Sequence, residues 1–183
     1  NAPAPQKEKD AGKPNNIYGA SKWAVDCMAK KEIEENKGAK IVGLRYFNVF
    51  GPREGHKKDM ASMVWKLSQQ MKSGKRPRIF KMGQQKRDQV YVRDVVRANI
   101  LAWKSGKSGV VNVGSGRATT FNEIVANLNR VLETDLKPEY IDNPYTTFFQ
   151  EHTEADLTLA KKIIGYEPEW EFRKAMDDYA KWL

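Results

Sequence analysis

The stretch IYGASKWAVDCMAKKEIEENKGAKIVGLRYFNVFGP, residues 17–52, places a helix, a strand and a turn in close succession. From Ile17 to about Glu35 the chain reads as a helix, and Lys37-Gly38 supplies the stop signal. Ile41, Val42, Gly43 and Leu44 then form a short apolar run of the kind a parallel strand needs when it is covered on both faces. Gly51-Pro52 opens a loop, so the stretch argues for an α/β protein.

Working outward, Asp59 is placed to cap a helix whose Met60, Met63, Val64, Leu67 and Met71 share one face and which ends near Gly74. Short strands are expected at Arg78 to Phe80, Gln89 to Val92 and Val110 to Val113. Asp94 opens an amphipathic helix carrying Val95, Val96, Asn99, Ile100 and Trp103. Thr120 and Glu123 have capping-box spacing, directly ahead of the face Phe121, Ile124, Val125, Leu128, Val131 and Leu132. A strand near Glu139 to Ile141, a helix from about Glu154 to Ile164 and a last helix bearing Phe172, Ala175, Met176 and Tyr179 complete the pattern. No internal repeat is visible. Only about two strands read as buried on both faces, fewer than a doubly wound sheet needs.

The 183 residues suffice for one buried core, and 40% apolar with 30% charged is a globular composition. Asn1 to Pro14 is polar, carries three of the eight prolines and reads as a loop or tail. No run approaches the roughly 20 apolar residues that cross a bilayer, and the first residues lack a signal-peptide core. A soluble cytoplasmic protein with no membrane partner is the expectation. The single cysteine, Cys27, excludes an intramolecular disulfide and a two-cysteine metal site, and its apolar neighbours predict buried filler. His56 and His152 lack spaced companions, so no metal is expected. A net charge of +9 favours an anionic partner. Without a helix-turn-helix, zinc-finger or aromatic RNA-binding signature, a nucleotide ligand is preferred to nucleic acid.

Tyr18-Gly19-Ala20-Ser21-Lys22 sets a phenol and an ammonium four residues apart, on one helical face. A nearby cation favours the phenolate, which lets a tyrosine act as a base, and the lysine can also bond a ribose. Alone, such a pair is common on helices and usually means a solvated lysine beside a half-buried ring.

The pair follows Lys-Pro-Asn-Asn, residues 13–16, and the strand after it ends in Leu-Arg-Tyr-Phe-Asn-Val-Phe-Gly-Pro-Arg-Glu-Gly-His-Lys, residues 44–57. In that setting the chain resembles the extended short-chain dehydrogenase/reductase family, with its NAD-dependent epimerases and dehydratases. Gly51 to Lys57 followed by Met60-Ala61-Ser62 is similar in particular to the branch that epimerises ADP-glycero-manno-heptose. KRDQVYVRDV (86–95), NVGSGR (112–117) and FQEHTEADL (149–157) extend the resemblance over Lys13 to Leu183.

The resemblance implies an α/β fold: the carboxy-terminal part of an extended Rossmann-like NAD(P)-binding fold plus a smaller substrate-binding lobe. Residues 15–58 and 88–116 would belong to the first, 59–87 and 117–183 to the second, and 1–14 to a flexible tail or loop. It further implies NADP as cofactor, an ADP-heptose nucleotide sugar as substrate, and a homo-oligomer in the full-length enzyme. NADP+ takes a hydride from the heptose carbon, the resulting carbonyl compound reorients, and the hydride returns to its other face. Tyr18 and Lys57 inherit the two acid/base roles, and Lys22, Val49 and Lys57 the cofactor contacts. Asn48, Asp59, Lys66, Phe80, Lys81, Met82, Gly83, Arg87 and Phe149 inherit the substrate pocket. Three of these depart from the pattern: Asp59 replaces a small hydroxyl residue, Lys66 a histidine and Phe149 a tyrosine. On spacing alone Lys57 is a solvated lysine beside Lys58. The paired N–H donors of Arg87 suit a pyrophosphate, with a salt bridge to Asp88 or another carboxylate as the rival reading.

An enzyme of this class holds the cofactor pyrophosphate on a Gly-rich turn at a helix start. None precedes Tyr18, and Gly114-Ser115-Gly116 lacks the full spacing and reads as a tight turn. The resemblance therefore implies a chain without the amino-terminal cofactor half, where the family's catalytic Ser or Thr also lies. Two other readings stay open: a non-enzymatic nucleotide-sugar-binding module, and an epimerase or dehydratase for a UDP- or GDP-hexose. Apolar edges left uncovered predict self-association.

Overall fold

In chain order the elements are α1 (Ile17–Glu35), β1 (Val42–Tyr46), β2 (Asn48–Phe50), α2 (Met63–Lys72), β3 (Arg78–Phe80), β4 (Lys86–Tyr91), α3 (Val92–Lys104), β5 (Gly109–Val113), β6 (Ala118–Thr120), α4 (Phe121–Leu132), β7 (Glu139–Ile141), α5 (Thr158–Ile164) and α6 (Phe172–Tyr179). Short 3-10 turns occupy Glu8–Asp10, Gly55–Met60 and Ala180–Trp182. The computed structural model describes residues 3–12, 14, 16–144 and 150–183.

β1 pairs in parallel with β5, Leu44 opposite Val111, and β2 in parallel with β4, Asn48 opposite Gln89. β4 continues into an antiparallel pair with β6, while β3 and β7 form a separate parallel pair. Parallel neighbours cannot be joined by a tight turn, so helices carry the crossovers, as the alternating sequence pattern requires.

Among the described residues two apolar cores result. In one, Phe50 and Tyr91 pack against Val64, Leu67 and Met71 of α2, Ile124 and Leu128 of α4, and Phe172, Met176 and Tyr179 of α6. In the other, Val90, Val95, Ala98, Val111 and Val113 pack against Ala160, Ile164 and Tyr166. α5 therefore lies with β5 and α3, although the sequence grouping put all of 117–183 in the smaller lobe.

Several local expectations are corrected. Ser62, not Asp59, caps α2, its hydroxyl accepting from the Trp65 N–H at 3.1 Å, and Met60 is exposed. Asp94 does not open α3. It is buried and accepts from the N–H groups of Glu169 and Trp170, tying α3 to the segment before α6. α3 buries Val95 and Ala98, while Val96, Ile100 and Trp103, one apolar stripe by spacing, face solvent. α5 starts at Thr158 rather than near Glu154. Cys27 is exposed, because α1 rests on β1 and β5 through its other side. Gln6, inside the expected tail, forms a β-bridge with Ala155, and the Glu8 carboxylate accepts from the Asn112 N–H at 2.8 Å. Among the described residues no helix is long and apolar enough to cross a membrane.

Candidate active site

Asn16 starts α1 by accepting the Gly19 N–H on its side chain at 2.7 Å, which sets Tyr18 and Lys22 on the first two turns. The Lys22 ammonium lies 5.3 Å from the centre of the Tyr18 ring. Tyr18 is 67% exposed, so the phenol is open to a ligand. An ion pair between Arg45 of β1 and Asp26 at 2.8 Å holds the helix to the sheet below.

A single residue, Phe47, separates β1 from β2, and its N–H donates to Val113 at 2.9 Å. Asn48 and Val49 thus enter next to β4. The Asn48 amide donates to the Asp88 carbonyl at 3.3 Å, which brings Asn48 beside the Arg87–Asp88 step. Val49 is partly buried against the second core.

The excursion from Gly51 to Ser62 carries Lys57 and Asp59, both exposed on the 3-10 turn. Its base is closed by Glu54, a residue to which the sequence reading gave no role. Lys66 follows on the first turns of α2, half-buried.

At the end of β3, Phe80 to Gly83 is fastened by Asn122 of α4, whose amide donates to the Met82 carbonyl at 2.9 Å and whose N–H donates to Gly83. Gly83 has φ +73°, and a Cβ there would lie 2.2 Å from the Asn122 oxygen, so only glycine fits. The Gln85 amide donates to the Lys81 carbonyl and thereby joins this loop to the start of β4. The Lys81 ammonium is engaged by Asp142 at 2.8 Å.

Arg87 is half-buried, and burial lowers its guanidinium from the usual value. Of its rival partners, Asp88 is taken up elsewhere: the buried Asp88 carboxylate accepts from the Ser115 N–H and hydroxyl, the Gly116 N–H and the Ala155 N–H, at 2.6 to 3.0 Å. Burial pushes Asp88 upward against these four bonds. A Cβ on Gly114 would lie 2.6 Å from this carboxylate, so residues 114–116 form a turn built around Asp88. Phe149 lies outside the described residues.

The expected site residues thus fall into groups: Tyr18 with Lys22, Asn48 with Arg87, Lys57 with Asp59, and Phe80 to Gly83. Strand pairing joins β2 to β4, and Gln85 joins the Phe80 to Gly83 loop to β4. Among the described residues no hydrogen bond, ion pair or ring contact links the Tyr18–Lys22 pair to Lys57. No group of three His, Cys, Asp or Glu gathers for a metal among them either. Glu54, Asp88 and Asn122 are the groups that sequence reasoning missed. A lone acid inside the cationic run Arg53, His56, Lys57, Lys58 was the available signal for Glu54.

Solved structures give the context for this arrangement. The chain is similar to the Helicobacter pylori ADP-L-glycero-D-manno-heptose-6-epimerase at 40% identity and a TM-score of 0.88, over 99% of this chain and 55% of that one. A UDP-N-acetylglucosamine 4-epimerase from Methanobrevibacter ruminantium, in complex with UDP-N-acetylmuramic acid, matches at 33% and 0.90 over 100% and 58%. The Thermotoga maritima UDP-glucose 4-epimerase with UDP-glucose matches at 32% and 0.87 over 97% and 56%. The chain spans little more than half the length of each. The profile of the NAD dependent epimerase/dehydratase family matches residues 1–114, more than half of the sequence. With its alternating parallel strands and helices, its Tyr-x-x-x-Lys helix start and this match, the chain belongs to the NAD dependent epimerase/dehydratase family.

Proposed function

We propose that this chain supplies the proton-transfer groups and the sugar-binding side of an NADP-dependent epimerase. The reaction converts ADP-D-glycero-D-manno-heptose to ADP-L-glycero-D-manno-heptose by transient oxidation and re-reduction at the heptose 6-position. The observation that carries the reading is the open Tyr18–Lys22 pair on α1, in a chain 40% identical to a heptose epimerase.

The residues present fit one side of a dinucleotide: the exposed Lys22 ammonium can bond ribose hydroxyls, and Val49 offers an apolar surface from β2. When bound, the nicotinamide supplies hydride acceptance and return. Tyr18 takes and returns the hydroxyl proton on one side of the sugar carbon, and Lys22 stabilises the negative charge that develops on the phenol oxygen. Inverting the centre needs a second proton donor and acceptor on the opposite side, and Lys57 takes that role. Arg87 binds the pyrophosphate and Asn48 the sugar, while Asp59, Lys66, Phe80, Lys81, Met82, Gly83 and Phe149 line the pocket. On this reading residues 15–58 and 88–116 serve the cofactor side and 59–87 with 117–183 the sugar side, α5 excepted. A cytoplasmic homo-oligomer goes with it.

The similarity to two UDP-sugar epimerases at 32 and 33% identity supports a second reading, a UDP-hexose substrate. Product analysis of the protein carrying this chain, with both nucleotide sugars and with NADP against NAD, separates the two. Heptose epimerisation with NADP is expected, and Tyr18→Phe or Lys57→Met should lower kcat about a hundredfold to ten-thousandfold. Turnover of a UDP-hexose alone, or undiminished kcat in Tyr18→Phe, refutes the assignment.

A further inference from the structure

Glu54 is 4% exposed and has no cationic partner among the described residues, yet four donors converge on its carboxylate. Oε1 accepts from the Gly51 N–H at 3.3 Å, the Ser62 hydroxyl at 2.9 Å and the Tyr179 hydroxyl at 3.1 Å. Oε2 accepts from the Ser62 N–H at 2.7 Å. Gly51 and Ser62 are the two ends of the excursion that carries Lys57, so a single side chain closes the loop at its base. The main chain of Glu54 also takes part, its carbonyl accepting the Lys57 N–H at 3.0 Å.

The segment that is held this way is strained. Arg53 has φ +66° and Lys58 φ +48°, left-handed conformations in residues that bear a Cβ, one on each side of Lys57. Such backbone persists only where its surroundings over-determine it. The carboxyl-terminal segment adds to the restraint: Tyr179 reaches Glu54 from α6, and the Arg53 guanidinium lies 5.5 Å from the centre of the Trp182 ring.

We propose that Glu54 is a positioning residue for Lys57, and that α6 shares the task through the Tyr179 hydroxyl. The inference rests on the acid/base role assigned to Lys57 above. Glu54→Gln leaves the shape but turns one acceptor into a donor that faces another donor, whereas Tyr179→Phe removes one of four bonds.

Two measurements on the protein carrying this chain test it. Hydrogen exchange at the Lys57 and Ser62 amides should quicken at least tenfold in Glu54→Gln and less in Tyr179→Phe, with α4 amides unchanged. In the turnover assay, with rates normalised to the folded fraction so that general destabilisation drops out, kcat should fall tenfold or more while KM for the nucleotide sugar changes less than twofold. Unchanged loop exchange overturns the proposal, and so does faster exchange with undiminished kcat. If Glu54→Gln fails to fold, Tyr179→Phe and Ser62→Ala are read by the same two criteria. A wild-type protein without epimerase turnover sinks the proposed function instead, and loop exchange still decides whether Glu54 holds Lys57.

Discussion

α1 and the α4–α6 pair are built from similar residues and end in opposite conditions. α4 and α6 bury Ile124, Val125, Leu128, Phe172, Ala175, Met176 and Tyr179 in one core. α1 buries none of its 19 residues, and Ile17, Tyr18, Trp23, Val25 and Met28 are exposed. The difference lies in how apolar side chains are arranged around each helix. α4 concentrates them on one stripe, which one neighbouring surface can cover, whereas α1 spreads them over several sides and meets β1 and β5 with one. A helix apolar on more than one side is stable only when covered on more than one side. The proposed site follows the same division: the Tyr18–Lys22 pair sits on the loosely held helix, and the proposed sugar lobe contains the well-packed ones.

The largest expected effect lies in the packed core. Phe172→Ala removes a ring that contacts Phe50 at a centroid distance of 5.4 Å, and it should cost about 3–5 kcal/mol in denaturant unfolding. Met28→Ala on α1 should cost under about 0.5 kcal/mol, as for a surface position. Equal losses at the two sites would break the comparison.

The same contrast explains what was legible in the sequence. Features closed within a few residues were readable, the ends of α1 and the capping box at Thr120, and so were the strands Arg78–Phe80 and Glu139–Ile141 from their own residue types, although they pair only with each other. Features that depend on distant partners were not. Glu54 is held in part by a hydroxyl 125 residues away, and Asp88 by N–H groups from two remote segments. Val96, Ile100 and Trp103 form a proper helical stripe, and periodicity reports a stripe without saying whether anything lies on it. Cys27 was assigned to the interior from its apolar neighbours and the burial habit of free cysteine, which likewise do not say whether anything lies on that side. Of the proposed site, the residue types and their spacing were visible. The loop clamp and the Asn122 fastening of Met82 and Gly83 came only with the fold.

A middle-sized effect concerns the exposed stripes. Trp103 is 82% exposed, and with Trp23 it offers apolar area that water leaves costly. The chain should self-associate with concentration, and Trp23→Glu with Trp103→Glu should weaken association about tenfold or more, near 1.4 kcal/mol, by sedimentation equilibrium. A wild-type chain that stays monomeric at all concentrations would show that these faces need no cover.

The smallest effect is the most discriminating, because α1 and α4 begin with the same device. Asn16 accepts the Gly19 N–H and Thr120 accepts the Glu123 N–H. Removing the second cap, Thr120→Ala, should cost about 1 kcal/mol of global stability, since α4 unfolds only with the core. Removing the first, Asn16→Ala, should quicken exchange along the first turn of α1 with little change in the global transition, because that helix can open locally. Acid adds a second readout. Burial pushes Glu123 up, but bonds from the Thr120 N–H and hydroxyl and the Arg117 guanidinium outweigh it and hold the carboxyl below its ordinary 4.5. A depressed folded-state pKa contributes stability above the unfolded value, and that contribution is lost as pH falls through the folded one. Glu123→Gln should therefore flatten the acid limb of the stability profile below about pH 4.5, and Asn16→Ala should leave it unchanged. An acid limb that responds equally to both substitutions would mean that α1 is coupled to the core as tightly as α4.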